Sequence, residues 1–264
     1  MTLKNYLKKA EKEKWAIGQF NFSTLEQLKG ILAAAEKLKS PVILGVSQGE
    51  VDYLGLREVL ALVEIAKSGP VFLNLDHGKD LNLIKKAINY GFSAVHFDGS
   101  ALSLDKNIKY AKKIVEYAHK RNVLVEGEIN AIKKDNLTSL EQAEYFVKAT
   151  KVDSLAIAIG NRHGFYRNVK LNFKRLKEIE KKLRVFLVLH GGSGIPEAQI
   201  KKAINLGIVK INVNTELRLV WKKSLKILLS GKEIKPYRIL TKVQKDIQKK
   251  VEEKIKLFGS RNKS

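Results

Sequence analysis

The sequence predicts an α/β protein of the closed (βα)8 type, a TIM barrel, with extra N-terminal and C-terminal helices. Three observations carry that expectation. Short apolar runs alternate with longer helical patterns along all 264 residues. The runs number eight and are rich in Val, Ile, Leu and Phe, as strands covered on both faces must be. No GxGxxG or GxxxxGK[ST] stretch occurs, which sets aside the nucleotide-binding sheets. Eight strands alternating with helices fit a closed barrel better than an open sheet.

Each element follows from local pattern. Residues 1–14 are lysine-rich and amphipathic and lack the apolar core of a secretory signal. They are expected as a helix over the barrel's closed end. Strands are expected at 16–21, 42–46, 71–75, 94–97, 123–128, 154–159, 185–189 and 209–213. Helices are expected between them at 25–39, 56–67, 81–90, 105–121, 140–150, 172–182 and 197–205. Ser23, with Glu26 three residues on, reads as a capping box opening the first of these. Gly91 and Gly207 stand where helices end. Helical patterns at 216–229 and 239–257 exceed what an eighth unit needs, so the tail is expected to cover the barrel or to dimerise. Residues 259–264 read as a frayed end. No linker interrupts the chain, so 1–264 reads as a single domain.

Composition narrows the chemistry. With no cysteine, disulfides and thiolate ligands are excluded, and a transition-metal site must use His, Asp or Glu. No apolar run reaches membrane-spanning length, and cytoplasmic residence is the expectation. The formal charge is +23. Its lysines are scattered over helical stretches and form no tract with interleaved aromatics. That pattern reads as solvated helices that also draw in anionic substrates, rather than as a nucleic-acid surface.

Three of the five histidines end an apolar run and precede a glycine: His77, His163 and His190. Strand C-terminal ends converge on one face of a barrel, so three such imidazoles would make an open metal site. Asp76, beside His77, can exchange a proton with a bound hydroxyl, or it can cap a helix. The loop His190-Gly191-Gly192-Ser193-Gly194 leads into a helix and offers N–H groups and a hydroxyl to a phosphate. Asn212, Asn214 and Thr215 end the last strand, where barrels often build phosphate pockets, and they read equally as caps. Glu128 and Asp98 end the fifth and fourth strands, placed either to meet a metal or to make structural hydrogen bonds. His96 reads as packed core and His119 as surface. No lysine stands convincingly at a buried strand end, since Lys210 precedes the polar end of its strand. A metal Lewis acid is therefore expected in place of a Schiff base.

These residues sit in a set of motifs: Ile17-Gly18-Gln19-Phe20-Asn21, Ser40-Pro41-Val42-Ile43-Leu44, Leu75-Asp76-His77-Gly78, Val125-Glu126-Gly127-Glu128, Ala158-Ile159-Gly160-Asn161-Arg162-His163-Gly164, Leu189-His190-Gly191-Gly192-Ser193-Gly194 and Lys210-Ile211-Asn212. Through them, nearly end to end, the chain resembles the class II, metal-dependent fructose- and tagatose-bisphosphate aldolases. The resemblance implies His77, His163 and His190 as ligands of a catalytic Zn2+, and Asp76 as acid/base at the substrate's C4 hydroxyl. It puts Glu128 and Asp98 near a second or displaced divalent site, and it admits a monovalent cation. Gly164, Gly191, Ser193, Asn212, Asn214 and Thr215 would surround the ketose phosphate, with Asn21 and Ser47 on the substrate side. The implied reaction is reversible cleavage of fructose 1,6-bisphosphate to dihydroxyacetone phosphate and glyceraldehyde 3-phosphate, a step of glycolysis and gluconeogenesis, in a homodimer or homotetramer.

The chain departs from the family in three places. The acidic loop after the fifth strand is short, with Asp135 as its only acid and candidate replacement. Ala101 stands where a basic residue or His is frequent. Gln244 falls near the place of a phosphate-reaching arginine, with Lys242 close by. These departures keep two alternatives in view: an aldolase for tagatose bisphosphate or another sugar phosphate, and a non-catalytic descendant that binds sugar phosphate or nucleic acid.

Overall fold

The computed structural model describes residues 1–132, 136–166 and 169–264. Eight parallel strands close in sequence order: β1 (Ile17–Asn21), β2 (Val42–Ser47), β3 (Val71–Gly78), β4 (Ala94–Asp98), β5 (Leu124–Glu128), β6 (Ser154–Ala156), β7 (Phe186–Leu189) and β8 (Ile208–Val213). Closure is made by β8 on β1, with Ile17 opposite Lys210 and Gln19 opposite Asn212. Helices cover the outside, which is why the strands carry apolar residues on that face.

The closed end is sealed by α1 (Leu3–Glu13). Its buried residues Leu3, Tyr6, Leu7 and Ala10 recur at helical spacing. They pack on Ile17, Ile43, Phe72, Ala94, Leu124, Phe186 and Val209, near the strand N-termini. Chemistry is thereby left to the opposite mouth.

Around the wall run α2 (Leu25–Lys37), α3 (Gln48–Leu54), α4 (Leu56–Ala66), α5 (Leu81–Asn89), α6 (Leu104–His119), α7 (Leu140–Thr150), α8 (Phe173–Lys182), α9 (Glu197–Asn205), α10 (Thr215–Leu229) and α11 (Pro236–Phe258). The long α11 buries Ile239, Val243, Ile247, Val251, Ile255 and Phe258. Its contact with α2 is close because residue 30 is glycine: a Cβ there would stand 2.8 Å from the Gln244 carbonyl oxygen. The tail therefore covers the barrel, and Gln244 packs on the outer wall, among the lining residues of neither cavity described below.

Three expectations are corrected. The capping box at Ser23 does not form: the N-cap is Thr24, and the Ser23 amide donates to Gln27 Oε1. The box occurs instead at Ser47 and Glu50, opening α3, a seven-residue helix that shows no periodic signal of its own. The sixth strand ends at Ala156, because Ala158 and Ile159 turn to the Leu137–Thr138 segment through the Thr138 N–H to Ala158 O bond. The last residues are not frayed. Gly259 turns the chain at φ 73°, Ser260 is buried, and the amides of Asn262 and Ser264 donate to the carbonyls of Leu38 and Lys39.

Candidate active site

Two consecutive residues enter the mouth from β3, although neighbours on a regular strand face opposite ways. The register explains it. Leu75 pairs with Val95 but Gly78 with Phe97, so β3 carries one extra residue here. His77 takes a left-handed backbone, φ 50°, and its amide donates to His96 Nδ1 at 3.1 Å. For a residue other than glycine this conformation is costly, and here the surrounding contacts hold it.

The three sequence-predicted imidazoles converge. Ring centroids lie 4.9 Å apart for His77–His163, 4.9 Å for His77–His190 and 5.9 Å for His163–His190. His77 Nδ1 lies 3.1 Å from Asp98 Oδ2, and His190 Nε2 lies 2.6 Å from Glu126 Oε1. An ionised carboxylate only accepts, so each ring places its proton there and turns a lone pair inward. The inward atoms, His77 Nε2 and His190 Nδ1, are 3.2 Å apart. Two nitrogens about 2.0–2.1 Å from one tetrahedral ion take about that separation. Partial burial, then His190 and His77, push His163 down to about 4, which keeps it neutral and available as a ligand near neutral pH.

Carboxylates surround the rings. Asp76 accepts from Asn21 Nδ2 at 3.0 Å and Asn212 Nδ2 at 3.2 Å. Burial alone would raise its carboxyl; His77, His96 and His190 outweigh that and hold it well below the usual carboxylate range. Asp98 is likewise held low despite burial, by His77, His96 and Ser100. Two donor groups have their atoms within 4.8 Å: Asp76, His77, His96 and His190, and His77, Asp98 and Glu128. Glu128 Oε2 is buried without a hydrogen-bond partner, which suits a cation-facing oxygen.

Every sequence-predicted site residue among those described lines one of two adjoining cavities. The smaller, about 310 Å3, is lined by Asn21, Ser47, Asp76, His77, His163, Gly164, His190, Gly191, Ser193, Asn212, Asn214 and Thr215, with Arg218 besides. The larger, about 640 Å3, shares His77 and His163 and adds Asp98 and Glu128. The loop after β7 is pinned: Gly192 N donates to Asn212 O, Gly194 N to Glu216 Oε1, and Glu216 N to Ser193 Oγ. Asp135 lies outside the described residues.

Two expectations change. His96 is fully buried, but in a polar setting: its Nε2 is 3.4 Å from Glu128 and its Nδ1 3.7 Å from Asp76. Lys210 is also buried, and its Nζ is 2.6 Å from Glu126 Oε2. Glu126 was not singled out in the sequence. Alternation could have found it, since 126 and 128 share a strand face, as do 210 and 212. Glu50 and Arg218, 2.8 Å apart across the mouth, had no such signal.

A closed parallel barrel with clustered imidazoles and carboxylates at its C-terminal mouth defines a candidate metal-dependent lyase. The chain belongs to the family described as class II fructose-bisphosphate aldolase, whose model matches residues 1–263. This family is metal-dependent and acts on sugar phosphates. The chain is 41% identical to the 6-phospho-5-dehydro-2-deoxy-D-gluconate aldolase of Shouchella clausii, over 97% of this chain and 93% of that one. It is 40% identical to the sulfofructosephosphate aldolase of Alkalicoccus urumqiensis, over 99% of this chain and 97% of that one. In three dimensions it is similar to the YdjI aldolase from Escherichia coli K12, with a TM-score of 0.89 at 34% identity, covering 100% of this chain and 99% of that one.

Proposed function

We propose that the protein is a zinc-dependent aldolase that reversibly cleaves a ketose phosphate to dihydroxyacetone phosphate and an aldehyde. One observation carries this reading: the inward nitrogens of His77 and His190 stand at ligand–ligand distance, with His163 beside them and ionised Asp76 adjacent. His77, His163 and His190 would hold the ion, and Asp98 with Glu128 a second divalent position. Bound there, a metal supplies Lewis-acid stabilisation of the charge that cleavage leaves on the keto half.

The remaining work falls to the chain's own groups. Asp76 takes the C4 hydroxyl proton as the C3–C4 bond breaks. The C4 oxygen then becomes the aldehyde carbonyl, and the bonding pair stays with the keto half as an ene-diolate, which takes a proton from solvent at that carbon to become dihydroxyacetone phosphate. Condensation returns the proton from Asp76. Asn21 and Asn212 fix the carboxylate's direction. Gly164, Gly191, Ser193, Asn214 and Thr215 receive the phosphate at the ends of β6, β7 and β8, where barrels commonly bind it.

The resemblance makes fructose 1,6-bisphosphate, cleaved to dihydroxyacetone phosphate and glyceraldehyde 3-phosphate, the first substrate to assay. The names of the two relatives add candidates ending in a carboxylate and a sulfonate. The test is a coupled triose-phosphate assay of these substrates with zinc-loaded protein, with and without chelator. Cleavage that stops with metal removal and returns with zinc is expected. Cleavage that survives complete removal of metal, or no cleavage of any of them, overturns the reading.

A further inference from the structure

Glu50 is placed unlike an ordinary capping-box acid. Such residues usually meet backbone and water at a helix surface. Glu50 is 5% exposed, and beyond the Ser47 amide at 2.7 Å it gathers three side chains. Asn21 Nδ2 donates to its Oε2 at 3.1 Å, and Arg218 Nη2 and Asn214 Nδ2 donate to its Oε1 at 2.8 and 3.5 Å. Ser47, Asn21, Asn214 and Arg218 all line the smaller cavity. Arg218 is the only Lys or Arg among the described residues lining it, and Glu50 matches its charge one for one.

This arrangement has a direction. If the phosphate of the keto half lies on the β7 loop at Gly191 and Ser193, the wall made by Asn21, Ser47 and Glu50 on β1, β2 and α3 borders the opposite side, with Asn214 and Arg218 of the β8–α10 junction between the two. We propose that Glu50 determines specificity at this wall. By cancelling the charge of Arg218 it selects ketose phosphates whose far end is neutral or singly charged, and it disfavours a second phosphate dianion. The proposal rests on the aldolase reading above.

The physics is a charge count. A guanidinium carries five N–H donors, and the half-exposed Arg218 side chain spends one on Glu50. A hydroxyl, carboxylate or sulfonate can take others without breaking the pair. A phosphate dianion meets one positive and one negative partner at the wall, with the Asp76 carboxyl behind Asn21. Asn21 donates to both Glu50 and Asp76, so the wall and the base are held through one amide.

The experiment compares fructose 1,6-bisphosphate with fructose 1-phosphate, at matched ionic strength, on zinc-loaded full-length wild type, Glu50→Gln, and Glu50→Gln/Arg218→Gln. The readout is the ratio of kcat/KM for the bisphosphate to that for the monophosphate, which cancels any loss common to both. Glu50→Gln is expected to raise the ratio about tenfold, chiefly through KM for the bisphosphate, because removing one unit charge beside a dianion is worth that order. The double variant should return the ratio to near the wild-type value. A ratio within about twofold of wild type in Glu50→Gln, or a rise that survives loss of Arg218, overturns the proposal, since a purely structural acid would act on both substrates alike. Calorimetric dissociation constants for the same two ligands give the same ratio without turnover. Wild type that cleaves neither therefore counts against the aldolase reading, while this ratio still decides the role of Glu50.

Discussion

Glu126 binds two buried groups at once, His190 on one oxygen and Lys210 on the other. Burial would raise its carboxyl, but Lys210, His190 and His96 hold it below the usual range. Replacing Glu126 by Gln should weaken zinc binding by about 10–100-fold, as loss of an outer partner of a metal-bound His does. Metal-competition titration measures it, and unchanged affinity would show that His190 needs no such support. Lys210→Met should cost about 3–5 kcal/mol of stability by denaturant unfolding, because it leaves Glu126 buried without its counter-charge. The histidines and Asp76 were legible in the sequence because each ends an apolar run. Lys210 and Arg218 were not, since their partners lie 84 and 168 residues away and meet them only once the barrel closes.

The strands and most helices follow from apolar runs and 3.6-residue periodicity, which is why their order could be read directly. What escaped reading was irregular. The extra residue in β3 leaves no mark in composition, yet it lets Asp76 and His77 both face the mouth. α3 is too short for periodicity, and its capping box competes with a similar-looking one at Ser23 that tertiary contacts override. The C-terminal turn reads as polar and loose, but Phe258 is buried beside β1 and its carbonyl accepts from Ala16. Phe258→Ala should lower stability by about 3–5 kcal/mol through the cavity it opens. Zinc content and KM should stay unchanged, because the helix end lies remote from the mouth. A shift in KM would mean that α11 reaches the site.

For the whole molecule, the buried charges set the acid limit. Asp76, Asp98 and Glu126 are all held below the ordinary carboxylate range. Their contribution is complete above that range and is lost as pH falls through their folded values. His163 and His190 act in the same direction. Both are lowered, first by burial, so the folded state resists protons that the unfolded chain accepts below about 6.5. His77 and His96, raised against their burial by Asp76 with Asp98 and by Asp76 with Glu128, His96 to about 10, oppose them. Two lowered and two raised imidazoles offset one another between pH 7 and pH 4, so the melting temperature of metal-free protein should fall chiefly below about pH 4, where the unfolded chain's carboxylates take up protons that Asp76, Asp98 and Glu126 resist. A melting temperature that held or rose as pH fell below about 4 would contradict the burial of these carboxylates.

The two ends of the smaller cavity are made of different material. At one end Gly191, at φ 63°, could not take a Cβ, which would stand 2.2 Å from the Arg162 carbonyl oxygen, and Gly164 holds φ 109°. At the other end stand Asn21, Ser47 and Arg218. A single codon change rewrites a side chain but leaves a peptide carbonyl where it was. Mutational drift in what this protein accepts is thus channelled to the second end, while the grip on the first stays as the main chain cast it.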